Sequence, residues 1–139
     1  MIVLDASVAV AWFLPEQHAS FAAGLVAARR ELTAPDIIVA EVGNALTKAF
    51  RRGDIKQPRV VAAIQHLSSG IVELQPSVPL LSDAADLACR LRCSVYDAAY
   101  LELARRRRIS IVTDDARLAQ VAGSINVRVH RPGDGTLPI

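Results

Sequence analysis

The order of apolar runs and helical stretches predicts an α/β fold, a three-layer domain built on a mostly parallel central sheet of about five short strands. Three observations lead there. Short apolar runs at residues 1–4, 71–74, 109–113 and 127–130, with a briefer one at 31–34, have the length of buried strands. Helical patterns lie between them, as crossover connections between parallel strands require. Asp5 and Asp115 stand just past the carboxyl ends of two of these runs, the edge of an open parallel sheet where ligands bind.

Element by element, residues 1–4 read as a buried strand and 7–14 as a helix stopped by Pro15. A second amphipathic helix covers 17–30, and a brief strand at 31–34 precedes Pro35. A longer helix runs over 36–52, with Gly53 at the position after its C-cap. Pro58 opens another helix that closes near Ser68-Ser69-Gly70. Strand 71–74 is followed by helices at 79–91 and 95–107, then strand 109–113, a short helix at 116–122 and a last strand at 127–130. No repeats, low-complexity blocks or linkers interrupt the chain, so residues 1–131 are expected to form one domain, with 132–139 as a Gly- and Pro-containing tail.

With 139 residues, 52% of them hydrophobic, the chain can bury a proper core and is not disordered. No apolar stretch approaches the roughly 18 residues of a membrane span. The first residues lack the basic segment of a secretory signal, and Asp5 falls where its apolar region would run, so a cytoplasmic location is expected. Cys89 and Cys93 share a helix face but have no further Cys or His set to complete a zinc site; they read as structural thiols. The net charge of +2 is small. Arginines nevertheless cluster at Arg29-Arg30, Arg51-Arg52, Arg105 to Arg108, Arg128 and Arg131, either as complements to helix C-termini or as phosphate contacts.

Four acids stand where a carboxylate is costly. Asp5 closes an apolar run, Glu41 interrupts Ile37-Ile38-Val39-Ala40 and Val42, Asp97 sits in Val95-Tyr96-Asp97-Ala98-Ala99-Tyr100, and Asp115 follows Ile111-Val112-Thr113. Buried carboxylates are normally paired or metal-bound. Taken singly, each has a local explanation: Asp5 and Asp115 as helix caps, Asp97 in the first turn behind Ser94, Glu41 as one polar residue on a helix. Taken together they point to one acidic pocket. Crowded carboxylates repel unless a cation neutralises them, and oxygen-only ligands favour Mg²⁺, with Mn²⁺ as a substitute, over zinc. Such a site supports metal-assisted phosphodiester hydrolysis.

The chain resembles the PIN-domain ribonucleases, specifically the VapC toxins of bacterial toxin–antitoxin pairs, from Met1 to about Arg131. Ile2-Val3-Leu4-Asp5-Ala6-Ser7 is similar to the first-strand motif, and 35–46, with Glu41 and then Asn44, to the second. Tyr96-Asp97-Ala98-Ala99-Tyr100-Leu101 with Ala104 is similar to the third, the most specific of the four. Val112-Thr113-x-Asp115-x-x-Leu118 is similar to the fourth, a register that selects Asp115 rather than Asp114. The resemblance implies that Asp5 and Asp97 are the principal metal ligands and that Glu41 and Asp115 complete the catalytic set. It further implies that Ser7, Asn44 and Thr113 orient the carboxylates through hydrogen bonds. RNA as substrate, a homodimer and a cognate antitoxin follow from the same resemblance. The stripe around Trp12, Phe13 and Phe21 reads as ordinary core or as a groove for a partner helix.

Other readings fit less well. A metal-dependent phosphatase of the haloacid-dehalogenase type needs a second Asp two residues after Asp5, where this chain has Ser7. A phospho-acceptor receiver domain needs an acidic pair and a late lysine. His18, His66 and His130 lie away from every motif, which disfavours a nucleophilic triad. A catalytically silent PIN-fold binding module remains the alternative of a different class.

Overall fold

The computed structural model describes residues 1–14, 19–27 and 31–134. Five strands, β1 (Ile2–Leu4), β2 (Leu32–Pro35), β3 (Glu73–Gln75), β4 (Ile111–Val112) and β5 (Val129–His130), form one sheet in the order β3-β2-β1-β4-β5. Every neighbouring pair is parallel, as expected from the alternation of strands and helices. Side chains along a strand point alternately to opposite faces, and all of β1 and β2 is buried. Both faces of the sheet centre are therefore covered.

The helices are α1 (Ala6–Ala9), α2 (Ala19–Ala27), α3 (Ile37–Arg51), α4 (Gln57–His66), α5 (Val78–Leu91), α6 (Val95–Arg107) and α7 (Ala116–Ser124). Helix α6 packs against α5 and lies across β1, β2 and β4, while α3 contacts β2, α1 and α4. Fully buried Ile2, Leu4, Ile38, Leu46, Leu101 and Ile111 join these layers in one core. Among the described residues, no helix is long and apolar enough to cross a membrane.

Local chemistry sets the boundaries. Pro58 enters the first turn of α4, where its missing N–H costs nothing. At the end of α3, Gly53 adopts φ 84°. Its N–H reaches Phe50 O and that of Asp54 reaches Ala49 O, the paired bonds of a Schellman turn. The helix expected over 7–14 splits into α1 and a tighter 3₁₀ turn at Val10–Trp12. This lets Trp12 Nε1 donate to Ala22 O at 2.6 Å. Trp12, Phe13 and Phe21 pack half-buried against the core, in keeping with the core reading. The ends of the 17–30 helix, with Arg29-Arg30, lie outside the described residues.

Three strands are shorter or shifted relative to the expectation because helix caps take their first residues. Ile109 N–H returns to Ala104 O to close α6, and Val127 N–H returns to Ala122 O to close α7. Ile71 belongs to a wide turn over Leu67–Ile71, where Gly70 sits at φ 103°. At the expected tail, Pro132–Asp134 form a 3₁₀ turn with Pro132 buried, and the Asp134 carboxylate accepts from Arg131 N–H.

The topology also locates the site. From β1 the chain steps outward to β2 and β3, then returns to the far side of β1 to lay down β4 and β5. The direction of winding reverses between β1 and β4, and a crevice opens at the carboxyl ends of strands there. Asp5 leaves β1 and the 113–115 segment leaves β4 at that crevice.

Candidate functional site

Asp5 anchors the crevice. It is only 5% exposed, and its Oδ2 accepts hydroxyl hydrogen bonds from Ser7 Oγ at 2.5 Å and Thr113 Oγ1 at 2.8 Å. The same carboxylate caps α1 through Ser7 N–H. Ser7 Oγ and Thr113 Oγ1 stand 3.3 Å apart. Each also holds the strand-to-helix turn after β4: Ser7 Oγ accepts from Asp114 N–H at 2.9 Å and Thr113 Oγ1 from Asp115 N–H at 3.0 Å. Two hydroxyls thus tie the end of β1 to the end of β4. Burial pushes the Asp5 carboxyl above its usual range, and the hydrogen bonds from Ser7 and Thr113 only partly offset this.

Glu41 and Asp97 lie within electrostatic reach of Asp5, and Asp115 within reach of Asp97. Glu41 comes from the middle of α3, and its Oε1 accepts from the Tyr100 hydroxyl at 2.8 Å. Burial raises the Glu41 pKa, and the charges of Asp5 and Asp97 raise it further. Asp97 lies in the first turn of α6, where Ser94 Oγ caps its N–H at 3.0 Å. Its pKa is raised by burial and then by the charges of Asp5 and Asp115. Asp115 caps α7, its Oδ1 accepting from Arg117 and Leu118 N–H. The capping explanations for Asp5 and Asp115 are therefore real, and they coexist with a shared electrostatic environment. Tyr100 is fully buried beneath the cluster. Desolvation, together with Glu41, Asp5 and Asp97, drives its hydroxyl far above the normal range, so it stays a hydrogen-bond donor.

These side chains offer oxygen donors only, the chemistry suited to Mg²⁺ or Mn²⁺. In their present rotamers, no three His, Cys, Asp or Glu side chains among the described residues are grouped closely enough to hold an ion. Glu41 and Asp97 are only half-buried, and Asp115 is exposed but held by its cap bonds to Arg117 and Leu118 N–H.

Two hydrogen-bonding supports implied by the resemblance, Ser7 and Thr113, lie against Asp5. Asn44 does not behave this way: it is exposed and its side chain makes no hydrogen bond among the described residues, only its backbone carbonyl being engaged by Thr47. The Arg105 to Arg108 cluster sits at the opposite end of α6 from Asp97. Arg105 lies roughly 12 Å farther along the axis at about 1.5 Å per residue. Much of its charge is used internally. Buried Glu102 receives Arg105 at 2.7 and 2.9 Å and Arg106 at 2.7 Å, and Arg107 pairs with Glu73 at 3.1 Å. Desolvation works against the Glu102 charge, but the two arginines outweigh it and hold the carboxyl below its usual range.

The cations beside the crevice are others. Arg117 donates to Arg92 O at 2.6 Å and draws down the proton affinity of Asp97, while Arg131 donates to Asp114 O at 2.9 Å. Neither Tyr100 nor Arg117 stood out in the sequence as a site residue. The signal for Tyr100 was its place three residues after Asp97 on one helix, which turns both toward the sheet end. Cys89 and Cys93 are free thiols; burial and then Asp97 push the Cys93 thiol up.

Comparison with known proteins gives a consistent picture. The PIN domain family model matches residues 2–124. Ribonuclease VapC3 of Pyrobaculum aerophilum is 31% identical over 121 residues, covering 86% of this chain and 92% of that protein. Among solved structures, PAE2754 from Pyrobaculum aerophilum superimposes with a TM-score of 0.75 at 20% identity, over 96% of this chain and 91% of that one. Mycobacterium tuberculosis VapC20, described as a Sarcin-Ricin loop cleaving toxin, gives 0.71 at 20% identity, over 86% and 94%. At that identity the two structures speak for the shared fold.

Proposed function

The chain belongs to the PIN-domain family, and from that premise we propose that it is a VapC-type toxin, a Mg²⁺-dependent endoribonuclease that hydrolyses RNA phosphodiester bonds at Asp5, Glu41, Asp97 and Asp115. The observation that supports this most is electrostatic. Burial is the main cause of the raised proton affinities of Glu41 on α3 and Asp97 on α6; the charge of Asp5 at the end of β1 adds to both, Asp97 adds to the load on Glu41, and Asp115 to that on Asp97. A fold tolerates such repulsion at low cost only if a cation relieves it.

In this reading Asp5 and Asp97 hold the Mg²⁺, with Mn²⁺ as a substitute. The bound ion supplies an activated water and stabilises charge on the phosphoryl group. The chain's own residues do the rest. Ser7 and Thr113 fix Oδ2 of Asp5, which aims the remainder of that carboxylate into the crevice. Tyr100 holds Glu41 by one oxygen, and the raised proton affinity of Glu41 suits it to orient the attacking water and accept its proton. Asp115 keeps α7 and Arg117 beside Asp97. Arg117 thereby offers a cation to a neighbouring phosphate, and this end of the molecule, rather than the Arg105 to Arg108 end, is where the RNA backbone would run.

The family reading carries with it a cytoplasmic homodimer and a cognate antitoxin that blocks the site, both open to light scattering and co-purification. The direct test is cleavage of RNA by purified protein in Mg²⁺. Loss of cleavage in chelator and in a folded Asp97→Asn variant is expected. Robust cleavage by that variant would overturn the site assignment, and a wild-type protein that binds RNA without cutting it would be a binding module instead.

A further inference from the structure

A cleft of about 370 Å³ opens between the middle of α3 and the first turn of α6, lined by Ala40, Glu41, Asn44 and Tyr96. It lies within the size range of small-ligand sites, and Glu41 is common to it and to the acid cluster. Whatever occupies it therefore sits next to the reacting phosphate.

The walls have an uneven chemistry. Tyr96 is 57% exposed, a large aromatic ring left in solvent beside Asp97. Asn44 is exposed, with a side-chain amide that bonds nothing among the described residues. Ala40 adds no bulk. An exposed aromatic face with a nearby free amide matches a nucleobase, which has an apolar face and a polar edge of donors and acceptors. The carboxylates alongside repel an isolated anion, so the face favours the base over its phosphate.

Resting on the ribonuclease reading, we propose that this cleft is a nucleobase subsite for the nucleotide flanking the scissile phosphate, with Tyr96 stacking on the base and Asn44 reading its edge. It gives Asn44 a role in substrate selection in place of carboxylate support. It also commits the substrate to a locally single-stranded form, because a paired base has neither face nor edge available.

The test uses unstructured RNA decamers with 2-aminopurine at each internal position in turn and randomised flanks, mixed with the full chain in chelator so that nothing is cut. Fluorescence should be quenched on binding at one register, lost in Tyr96→Ala and kept in Tyr96→Phe. In Mg²⁺, an abasic nucleotide at that register should raise the wild-type KM roughly 5- to 150-fold, the range for one stacked base. Tyr96→Ala should show a similar rise with the intact RNA and be indifferent to the abasic change. Asn44→Ala should keep the quenching but broaden the set of sites cut in a long RNA.

Cleavage without quenching at any register would overturn the subsite, as would independent, multiplying effects of Tyr96→Ala and the abasic nucleotide. So would a Tyr96→Ala variant that changes oligomeric state and leaves RNA binding unaltered, which would make the face a protein contact. Quenching without cleavage would uphold the subsite and overturn the nuclease assignment instead.

Discussion

Replacing Thr113 with Val isolates the hydroxyl that joins β1 to β4, at nearly constant volume and at a fully buried position. Two bonds disappear. The first is the 2.8 Å donation to Asp5 Oδ2; a hydrogen bond to a charged group contributes about 1.5–3 kcal/mol. The second is the acceptor for Asp115 N–H at 3.0 Å, whose loss strands a partly buried donor at a cost of about 1 kcal/mol. Together about 3 kcal/mol is expected at neutral pH, a large part of the roughly 5–15 kcal/mol that holds a domain folded. In a thermal melt this corresponds to a drop of about 10 °C. Thr113→Ser, which keeps the hydroxyl, should lose much less.

The pH dependence has a definite sign. The folded Asp5 pKa is raised, so its ionisation costs the fold stability as pH rises through that value, and the loss is complete above it. Removing a hydrogen bond that favours the charged form raises the folded pKa again. The gap between variant and wild type should therefore widen with rising pH and narrow in acid, where the carboxyl is neutral. Urea denaturation at several pH values measures this. A Thr113→Val protein within 1 kcal/mol of wild type at every pH would refute the view that this hydroxyl carries the junction.

The remaining predictions address the rest of the site and its surroundings. Mg²⁺ at 100 times its dissociation constant should stabilise the protein by about 2.7 kcal/mol, near 9 °C in Tm for a chain of this length; the effect should shrink in acid as the raised carboxyls protonate, and no shift at any pH would remove the metal from the account. Glu102→Gln should cost about 2 kcal/mol at neutral pH, moderated by the solvent exposure of its arginines. Because the folded Glu102 pKa is lowered, that stability is present above the unfolded carboxyl pKa and lost as pH falls through the folded value, so acid denaturation curves of the two proteins should converge. Arg117→Gln should reduce the salt slope of RNA binding by about 0.7, the contribution of one single-strand phosphate contact, and Arg108→Gln should leave it unchanged; filter binding at a series of salt concentrations distinguishes them.

How far the chain could be read in advance depended on whether the signal was local. Strand–helix alternation, Pro58, Gly53 and the Ser94 cap act within a few residues, and the structure reproduces them closely. The strands at 109–113 and 127–130 were read too long because their first residues satisfy helix carbonyls, a choice that apolar character does not reveal. The four acids were visible because a carboxylate in an apolar run is conspicuous, but which of them face one another depends on the sheet order and on the packing of α3 and α6, which local sequence does not reveal. Asn44 shares a helical face with Glu41 by spacing, but only three dimensions show that it lines an open cleft together with Tyr96 of α6. Glu102 carries no sequence signal because it sits among arginines, where sequence alone suggests a solvated surface, whereas the fold buries its carboxylate against two partly exposed arginines.

The central place of β1 has a consequence for how the molecule comes into being. Its Ile2-Val3-Leu4 backbone is flanked by β2 on one side and β4 on the other, and β4 is not made until residue 112. A chain emerging from the ribosome thus keeps one edge of its most apolar strand open until residues 111–112 have been added, a surface prone to pairing with other chains. For that whole interval Asp5 lacks the Thr113 hydroxyl that bonds its carboxylate. Closing the sheet at β1 and tying Asp5 to Thr113 therefore await the same residues, and a chain that stops short of them has both an open strand edge and an unsupported Asp5 carboxylate.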